Sequence, residues 1–245
     1  MRIKTRVHTP ARRFFVNRAL FGLIAAGLLA ACSGEQDAAV SSPTMTDREM
    51  TAGSEASRTF QPVDRARVVN AAGNNSDWLT HGRTYAEDRN SPLSQINRDT
   101  VTDLGMAWDF ELDTDRGQEA TPLVIDGVIY LTSAWSKAFA LDARTGEELW
   151  RYDPEVPREY AVNACCDVVN RGMAAWGDNV YFGALDGRLI ALDRETGDVA
   201  WSTVTADPEQ RYTITGAPRI VDGKVIIGNG GGELGVRGYV SAYDA

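Results

Sequence analysis

The chain is poor in the residues that most enzyme chemistry relies on. Its 245 residues include two histidines, His8 and His81, and three cysteines. His8 lies among the first residues, so one histidine remains for the body of the protein. A single histidine argues against a histidine-based triad and excludes a His-rich zinc site. No Cys-x-x-Cys-His occurs, so this stretch attaches no c-type haem. The longest apolar run, Ala19 to Ala31, is thirteen residues, short for a bilayer span and the right length for the core of an export signal. Acidic side chains are absent from residues 1–31, which hold six of the 25 basic residues, so the remainder carries 19 basic against 34 acidic groups. So acidic a body excludes nucleic acid as a partner.

What is present at the N-terminus reads as an address. Arg2, Lys4, Arg6, Arg12, Arg13 and Arg18 precede the apolar run, which ends Leu29-Ala30-Ala31-Cys32. Small residues before a cysteine resemble a bacterial lipobox, which implies a lipid anchor at Cys32 and a periplasmic location in a Gram-negative bacterium. Ser33 favours the outer membrane by the same resemblance. Arg12-Arg13-Phe14-Phe15-Val16 also resembles a twin-arginine signal. The alternative is a plain signal peptide with a chance cysteine. Residues 32–75 are rich in Ser, Thr, Ala, Gly, Asp and Glu. Such a stretch buries too little apolar surface to offset its ordering entropy, and a flexible tether is expected there. The expected organisation is a lipoprotein signal over 1–31, a linker over 32–75 and a folded domain over 76–245.

Internal repetition is the main structural signal. Ala140-Leu141-Asp142-Ala143-Arg144-Thr145-Gly146-Glu147-Glu148-Leu149-Trp150 recurs as Ala191-Leu192-Asp193-Arg194-Glu195-Thr196-Gly197-Asp198-Val199-Ala200-Trp201, and Ala242-Tyr243-Asp244 begins a third copy. Aspartate opens a turn by accepting backbone N–H groups ahead of it, and Thr-Gly completes it. The following strand carries a tryptophan able to wedge between sheets. Asp126-Gly127, Gly177-Asp178-Asn179, Asp186-Gly187 and Asp222-Gly223 each precede an apolar strand. Short strands with such turns, in units of about fifty residues, read as propeller blades.

The Ala-x-Asp-x-x-Thr-Gly-x-x-x-Trp motif resembles the tryptophan-docking repeat of the pyrroloquinoline quinone (PQQ) dehydrogenases. Asp77-Trp78, Gly82-Arg83-Thr84-Tyr85, Ser91-Pro92-Leu93, Ile96-Asn97 and Leu104-Gly105-Met106-Ala107-Trp108 resemble the opening of that family's mature chains. The fold implied is an all-β, eight-bladed propeller, of which about three blades are expected here. A closed propeller needs more, so the chain is expected to be a fragment of a longer frame or a truncated product. The resemblance further implies PQQ and Ca²⁺ as cofactors, a small alcohol as substrate and a cytochrome c-type electron acceptor.

Candidate site residues follow from the same motifs. Neighbouring Cα atoms lie about 3.8 Å apart, below the usual disulfide range of about 4.4–6.8 Å, so a bridge between Cys165 and Cys166 needs a reason. In the resembled family a vicinal disulfide lies over the quinone, and Asp167-Val168-Val169-Asn170-Arg171-Gly172 follows it as here. Otherwise the pair is two small buried thiols. By resemblance Arg171 binds the quinone oxygens, Glu119 contacts PQQ, and Thr215 in Thr215-Gly216-Ala217-Pro218 hydrogen-bonds it. Gly230-x-Gly232-x-x-Gly235 formally fits a dinucleotide fingerprint, but Val236 to Tyr243 alternates like a strand, so the helix that motif requires is missing. In the resembled family this segment contributes backbone at Gly231 and Gly232 and a calcium-binding carboxylate at Glu233, a hard oxygen ligand suited to Ca²⁺. That family's second calcium ligand, its tryptophan floor and its aspartate base lie in later blades, so no catalytic residue is assigned here.

Two further readings stand beside the enzyme. One is a non-catalytic propeller lipoprotein of the outer-membrane-assembly type that binds protein partners. The other is a degenerate sensor derived from the enzyme. The lipobox suits the first, whereas Cys165-Cys166, Arg171 and the glycine-rich Glu233 segment have no use in a binding scaffold.

Overall fold

A computed structural model describes residues 58–245. The expected signal segment, the lipid-anchor cysteine Cys32 and the tether up to residue 57 lie outside the described residues. One short helix, α1 (Arg65–Val69), precedes eleven strands: β1 (Leu123–Ile125), β2 (Val128–Thr132), β3 (Ala138–Asp142), β4 (Glu148–Tyr152), β5 (Ala174–Trp176), β6 (Asn179–Gly183), β7 (Arg188–Asp193), β8 (Val199–Val204), β9 (Arg219–Val221), β10 (Lys224–Gly228) and β11 (Val240–Asp244). They form three antiparallel meanders, β1 to β4, β5 to β8 and β9 to β11. These are the expected propeller blades, two of four strands and one of three.

Repeated sequence gives repeated geometry. In the first sheet Asp142 Oδ1 accepts from the amides of Arg144 and Thr145, each at 2.8 Å. In the second Asp193 Oδ1 accepts from Glu195 and Thr196, each at 2.9 Å. Both ladders shift register at the same repeat position, Ala140/Leu141 and Ala191/Leu192, so that Trp150 faces Ala140 and Trp201 faces Ala191. At the β1–β2 hairpin Asp126 and Gly127 take φ of 53° and 77°, the paired positive values of a type I′ turn whose twist matches the strands. β3 and β7 are buried almost throughout, whereas β8 is mostly exposed or half-buried. The core therefore lies between sheets, over the inner strands.

Tryptophan joins one sheet to the next. A Cβ on Gly197 would lie 2.8 Å from the Trp150 ring, and one on Gly146 would lie 2.5 Å from Trp108. Each indole thus lies flat on the glycine of the following Thr-Gly turn. The Trp150 indole N–H and the Tyr130 hydroxyl both donate to the Arg194 carbonyl at 3.0 Å. Burying a tryptophan removes about 200 Å² from water, an upper-bound contribution of ~5 kcal/mol at ~25 cal/mol/Å².

The tether expected over 32–75 needs correction where the structure describes it. Val63 and Val68 are buried and Phe60 packs on the core. Val63 exchanges two backbone hydrogen bonds with Gly177, at 2.9 and 2.8 Å. Arg67 bridges Asp77 at 2.8 Å and Asp126 at 2.9 Å. Arg194, 1% exposed, bonds Asp126 at 2.9 Å and the Gln61 carbonyl at 2.5 Å. A few apolar side chains and a charge network hold residues 58–75 although their average composition is polar.

Two outcomes test this account. Burial pushes the Asp126 carboxyl up, but hydrogen bonds from Arg67, the Gln61 amide and Arg194 outweigh it and leave the pKa below the ordinary 3.8. A depressed carboxyl stabilises the fold above the unfolded-state pKa and loses that contribution as pH falls through the folded one. Urea midpoints at pH 7 and pH 3 should therefore differ less in Asp126→Asn than in the parent. Gly197→Ala, with φ of 78° and the Trp150 ring in the way, should cost ~3 kcal/mol, and Gly127→Ala, in open space at φ of 77°, ~1 kcal/mol. Equal losses in denaturant unfolding would refute the stacking role of Gly197.

Candidate functional site

Glu119, Arg171 and Thr215 occupy the same place in their sheets, in the loops leading into β1, β5 and β9. The structure brings them together. The Arg171 amide donates to the Thr215 carbonyl at 2.9 Å, and its carbonyl accepts from the Thr121 amide at 3.3 Å. Its guanidinium pairs with Glu119 at 2.7 Å and donates to Thr215 Oγ1 at 2.7 Å. Three sheets thus each place one side chain around a single cation. Both charged side chains are partly exposed, so the ion pair contributes on the order of 0–1 kcal/mol, and the arrangement is held by backbone.

That backbone is fixed by a residue the sequence reading passed over. Asn170 is 1% exposed. Its Oδ1 accepts from Thr132 Oγ1 at 2.8 Å and the Gly172 amide at 3.0 Å, and its Nδ2 donates to the Gly183 carbonyl at 2.8 Å. Gly172 has φ of 120°, and a Cβ there would lie 2.9 Å from the Thr121 carbonyl oxygen. The Asn-Arg-Gly run therefore divides its work: asparagine anchors inward, arginine reaches outward, and glycine allows two sheets to touch. Immediately upstream Cys165 and Cys166 are joined as a vicinal disulfide, Cα atoms 3.8 Å apart, and both residues are exposed. The alternative of two buried thiols is thereby set aside. Asp167 after them has φ of 107°. Its carboxyl is held below the ordinary range, chiefly by the Val168 amide and then by Arg116 and the Gly117 amide.

An open cleft of about 510 Å³ adjoins this cluster, lined by Arg171, Thr215, Arg219, Asn229, Gly230 and Tyr239 among others. Glu119, the two cysteines, Gly231, Gly232 and Glu233 are not on its wall. Glu233 projects from a single 3-10 turn, Gly232–Leu234, between Gly231 and Gly235, and is exposed. The close backbone approach expected of these glycines is made within the chain. A Cβ on Gly231 would meet the Arg211 carbonyl oxygen at 2.2 Å, and the Gly230 amide donates to the Thr213 carbonyl at 2.7 Å. Gly232 and Gly235 face open space. Among the described residues no group of three or more His, Cys, Asp or Glu could hold a metal ion.

Known proteins carry the same pattern. The family described as "PQQ: Glucose/ethanol/alcohol dehydrogenase, beta-propeller domain" matches residues 78–245. The chain belongs to this family. Within the PQQ dehydrogenases it is similar to quinohemoprotein alcohol dehydrogenase ADH IIB of Pseudomonas putida, 61% identical over 183 residues, covering 75% of this chain and 26% of that protein. It is also similar to 1-butanol dehydrogenase (cytochrome c) of Thauera butanivorans, 56% identical over 175 residues, covering 71% of this chain and 25% of that one. The solved structure of quinohemoprotein alcohol dehydrogenase ADHIIG from Pseudomonas putida HK5 superposes with a TM-score of 0.73 at 57% identity, covering 75% of this chain and 27% of that one. The chain spans about a quarter of the length of the curated relatives it matches.

Sequence reasoning missed Asn170, Arg219, Asn229 and Tyr239. Asn170 left a signal, a polar residue following the apolar pair Val168-Val169, whereas the others needed the fold to bring them to the cleft. Removing the Asn170 carboxamide leaves the Thr132 hydroxyl, the Gly172 amide and the Gly183 carbonyl without this partner. Asn170→Ala should cost roughly 3 kcal/mol, measured by urea unfolding of the parent and variant. A loss under ~1 kcal/mol would show that Arg171 does not depend on this brace.

Proposed function

We propose that this chain forms the N-terminal part of the cofactor-binding propeller of a PQQ- and calcium-dependent alcohol dehydrogenase. The observation that carries the reading is the convergence of Glu119, Arg171 and Thr215 from three successive sheets, with the Cys165–Cys166 disulfide just upstream of Arg171. The residues suit such a group. PQQ is a planar quinone bearing carboxylates, and it needs a fixed cation, hydroxyl donors and a flat rigid surface. Arg171, Thr215 and the bridged cysteines supply these in turn. When bound, PQQ supplies the hydride acceptor for alcohol oxidation. Arg171 holds its positive charge in place before negative charge develops on neighbouring oxygens, so no reorganisation is needed at that moment. Glu119 aims the guanidinium, and the Thr215 hydroxyl accepts from Arg171 while keeping its own proton to donate. Cys165 and Cys166 present a short covalent platform. Gly231 and Gly232 set the turn that carries Glu233.

Glu233 would supply one carboxylate to calcium, an ion that takes about six to eight oxygen ligands, and this reading assigns the catalytic base to no described residue. The similarity to a 1-butanol dehydrogenase whose name specifies cytochrome c supports a small alcohol as substrate and a cytochrome c-type acceptor. The basic leader, the Ala19–Ala31 run and Cys32 support export to the periplasm and anchoring by lipid.

The test uses the full-length protein supplied with PQQ and Ca²⁺ and follows alcohol-dependent dye reduction. Activity should require both additions. Arg171→Ala should lower kcat by about 10²–10³, the usual loss on removing a preorganised electrostatic group. Glu233→Gln should raise the calcium concentration needed for half-maximal activity. Undiminished alcohol oxidation without PQQ would overturn the proposal.

A further inference from the structure

Asp167 follows Cys166 directly, and its backbone is strained. Its φ is 107°, a conformation that glycine adopts freely and other residues adopt at a cost. Such strain persists only where surrounding contacts hold it, and it collects at functional sites. One carboxylate supplies contacts of that kind. Asp167 Oδ1 accepts from the Val168 amide at 2.8 Å and from Arg116 Nη1 at 3.0 Å. The side chain therefore folds its own loop back and grips the neighbouring one.

The gripped loop is the one that leads to Glu119. Asp115, Arg116, Gly117, Gln118 and Glu119 are all exposed. Thr114 Oγ1 accepts from the Arg116 amide at 3.1 Å, and the Arg116 carbonyl accepts from Gln118 Nε2 at 2.8 Å. The turn is thus bonded mainly to itself and needs an outside anchor. Further along, Glu119 pairs with Arg171, and the Thr121 amide donates to the Arg171 carbonyl. Two ties between sheets therefore flank the Glu119–Arg171 pair, Arg116–Asp167 before it and Thr121–Arg171 after it. Because Asp167 adjoins the disulfide, the first tie also sets where Cys165 and Cys166 stand relative to Glu119.

We propose that Asp167 is a positioning residue whose grip on Arg116 locks the disulfide loop to the Glu119 loop before the cofactor arrives. The inference rests on the PQQ reading of this cluster. Loops already fixed in the bound arrangement lose little freedom when a rigid planar ligand docks, so their fixing appears as affinity. The Arg116 and Asp167 side chains are 54% and 28% exposed, and so exposed a pair adds little to global stability. Positioning and folding therefore separate in experiment.

The full-length protein, freed of cofactor, is titrated with PQQ at fixed Ca²⁺ while tryptophan fluorescence reports binding. Urea unfolding without PQQ is run beside it. Asp167→Gly accepts the backbone angle and removes the carboxylate. Its urea midpoint should equal or exceed the parent's, while its Kd for PQQ rises about three- to tenfold. Asp167→Asn keeps an acceptor oxygen and tolerates positive φ, so it should recover most of the affinity. Arg116→Ala should weaken binding as Asp167→Gly does, and the double variant should bind no more weakly than either single one. Parent-like affinity in Asp167→Gly, or losses that add in the double variant, would overturn this proposal and leave the PQQ reading standing. A midpoint that falls together with affinity, without recovery in Asp167→Asn, would make Asp167 merely structural. A parent protein that binds no PQQ would overturn the cofactor reading and this proposal with it.

Discussion

The architecture depends on Arg194. Its carbonyl takes the indole of Trp150 and the hydroxyl of Tyr130, both from the preceding sheet. Its guanidinium takes Asp126 of the first hairpin and the carbonyl of Gln61. A cation 1% exposed to solvent needs its charge matched. Asp126 does so, and both terminal nitrogens are hydrogen-bonded, while Nε is buried without a partner. Two sheets and the N-terminal segment are thus obliged to meet at one residue. Removing the Asp126 carboxylate leaves the Arg194 charge uncompensated in the interior, a larger penalty than its own contacts suggest.

With the sheets held in this way, the site is a consequence of repetition. Each sheet begins with a short strand entered from the same side, and the loop before that strand carries one functional side chain. Three loops side by side then give Glu119, Arg171 and Thr215 a common meeting point. The Asn170 brace is what makes Arg171 specific, since it ties the arginine loop to β2, β6 and its own backbone at once.

Much of this was legible in the residues. The Asp-x-x-Thr-Gly turns, the tryptophan after them and the Asp-Gly hairpins have local causes, and the structure places them as read. Arg171, Glu119 and Thr215 were identified through motif resemblance, and the fold then supplied the contacts among them. What could not be read was long-range. The polar composition of residues 58–75 concealed Phe60, Val63 and Val68, whose burial depends on surfaces made later in the chain. In the sequence the glycines around Glu233 look like room for a ligand. Gly231 instead makes room for the Arg211 carbonyl, a neighbour that no local pattern announces. Asn229 and Tyr239 reach the cleft only because β10 and β11 pair across a loop.

The docking of Trp108 on Gly146 and of Trp150 on Gly197 has a direction. The Trp150 contact joins the last strand of one sheet to the turn after β7 of the next, so it is heterologous rather than self-complementary. Nothing in such a joint says when to stop. A fixed rotation at each step either returns to its starting point, giving a ring, or winds on as a helix. The number of blades is accordingly written in an angle, set by how deeply an indole sinks over a residue with no side chain. Small changes in that seat alter the closure of the whole circle before they alter any single sheet.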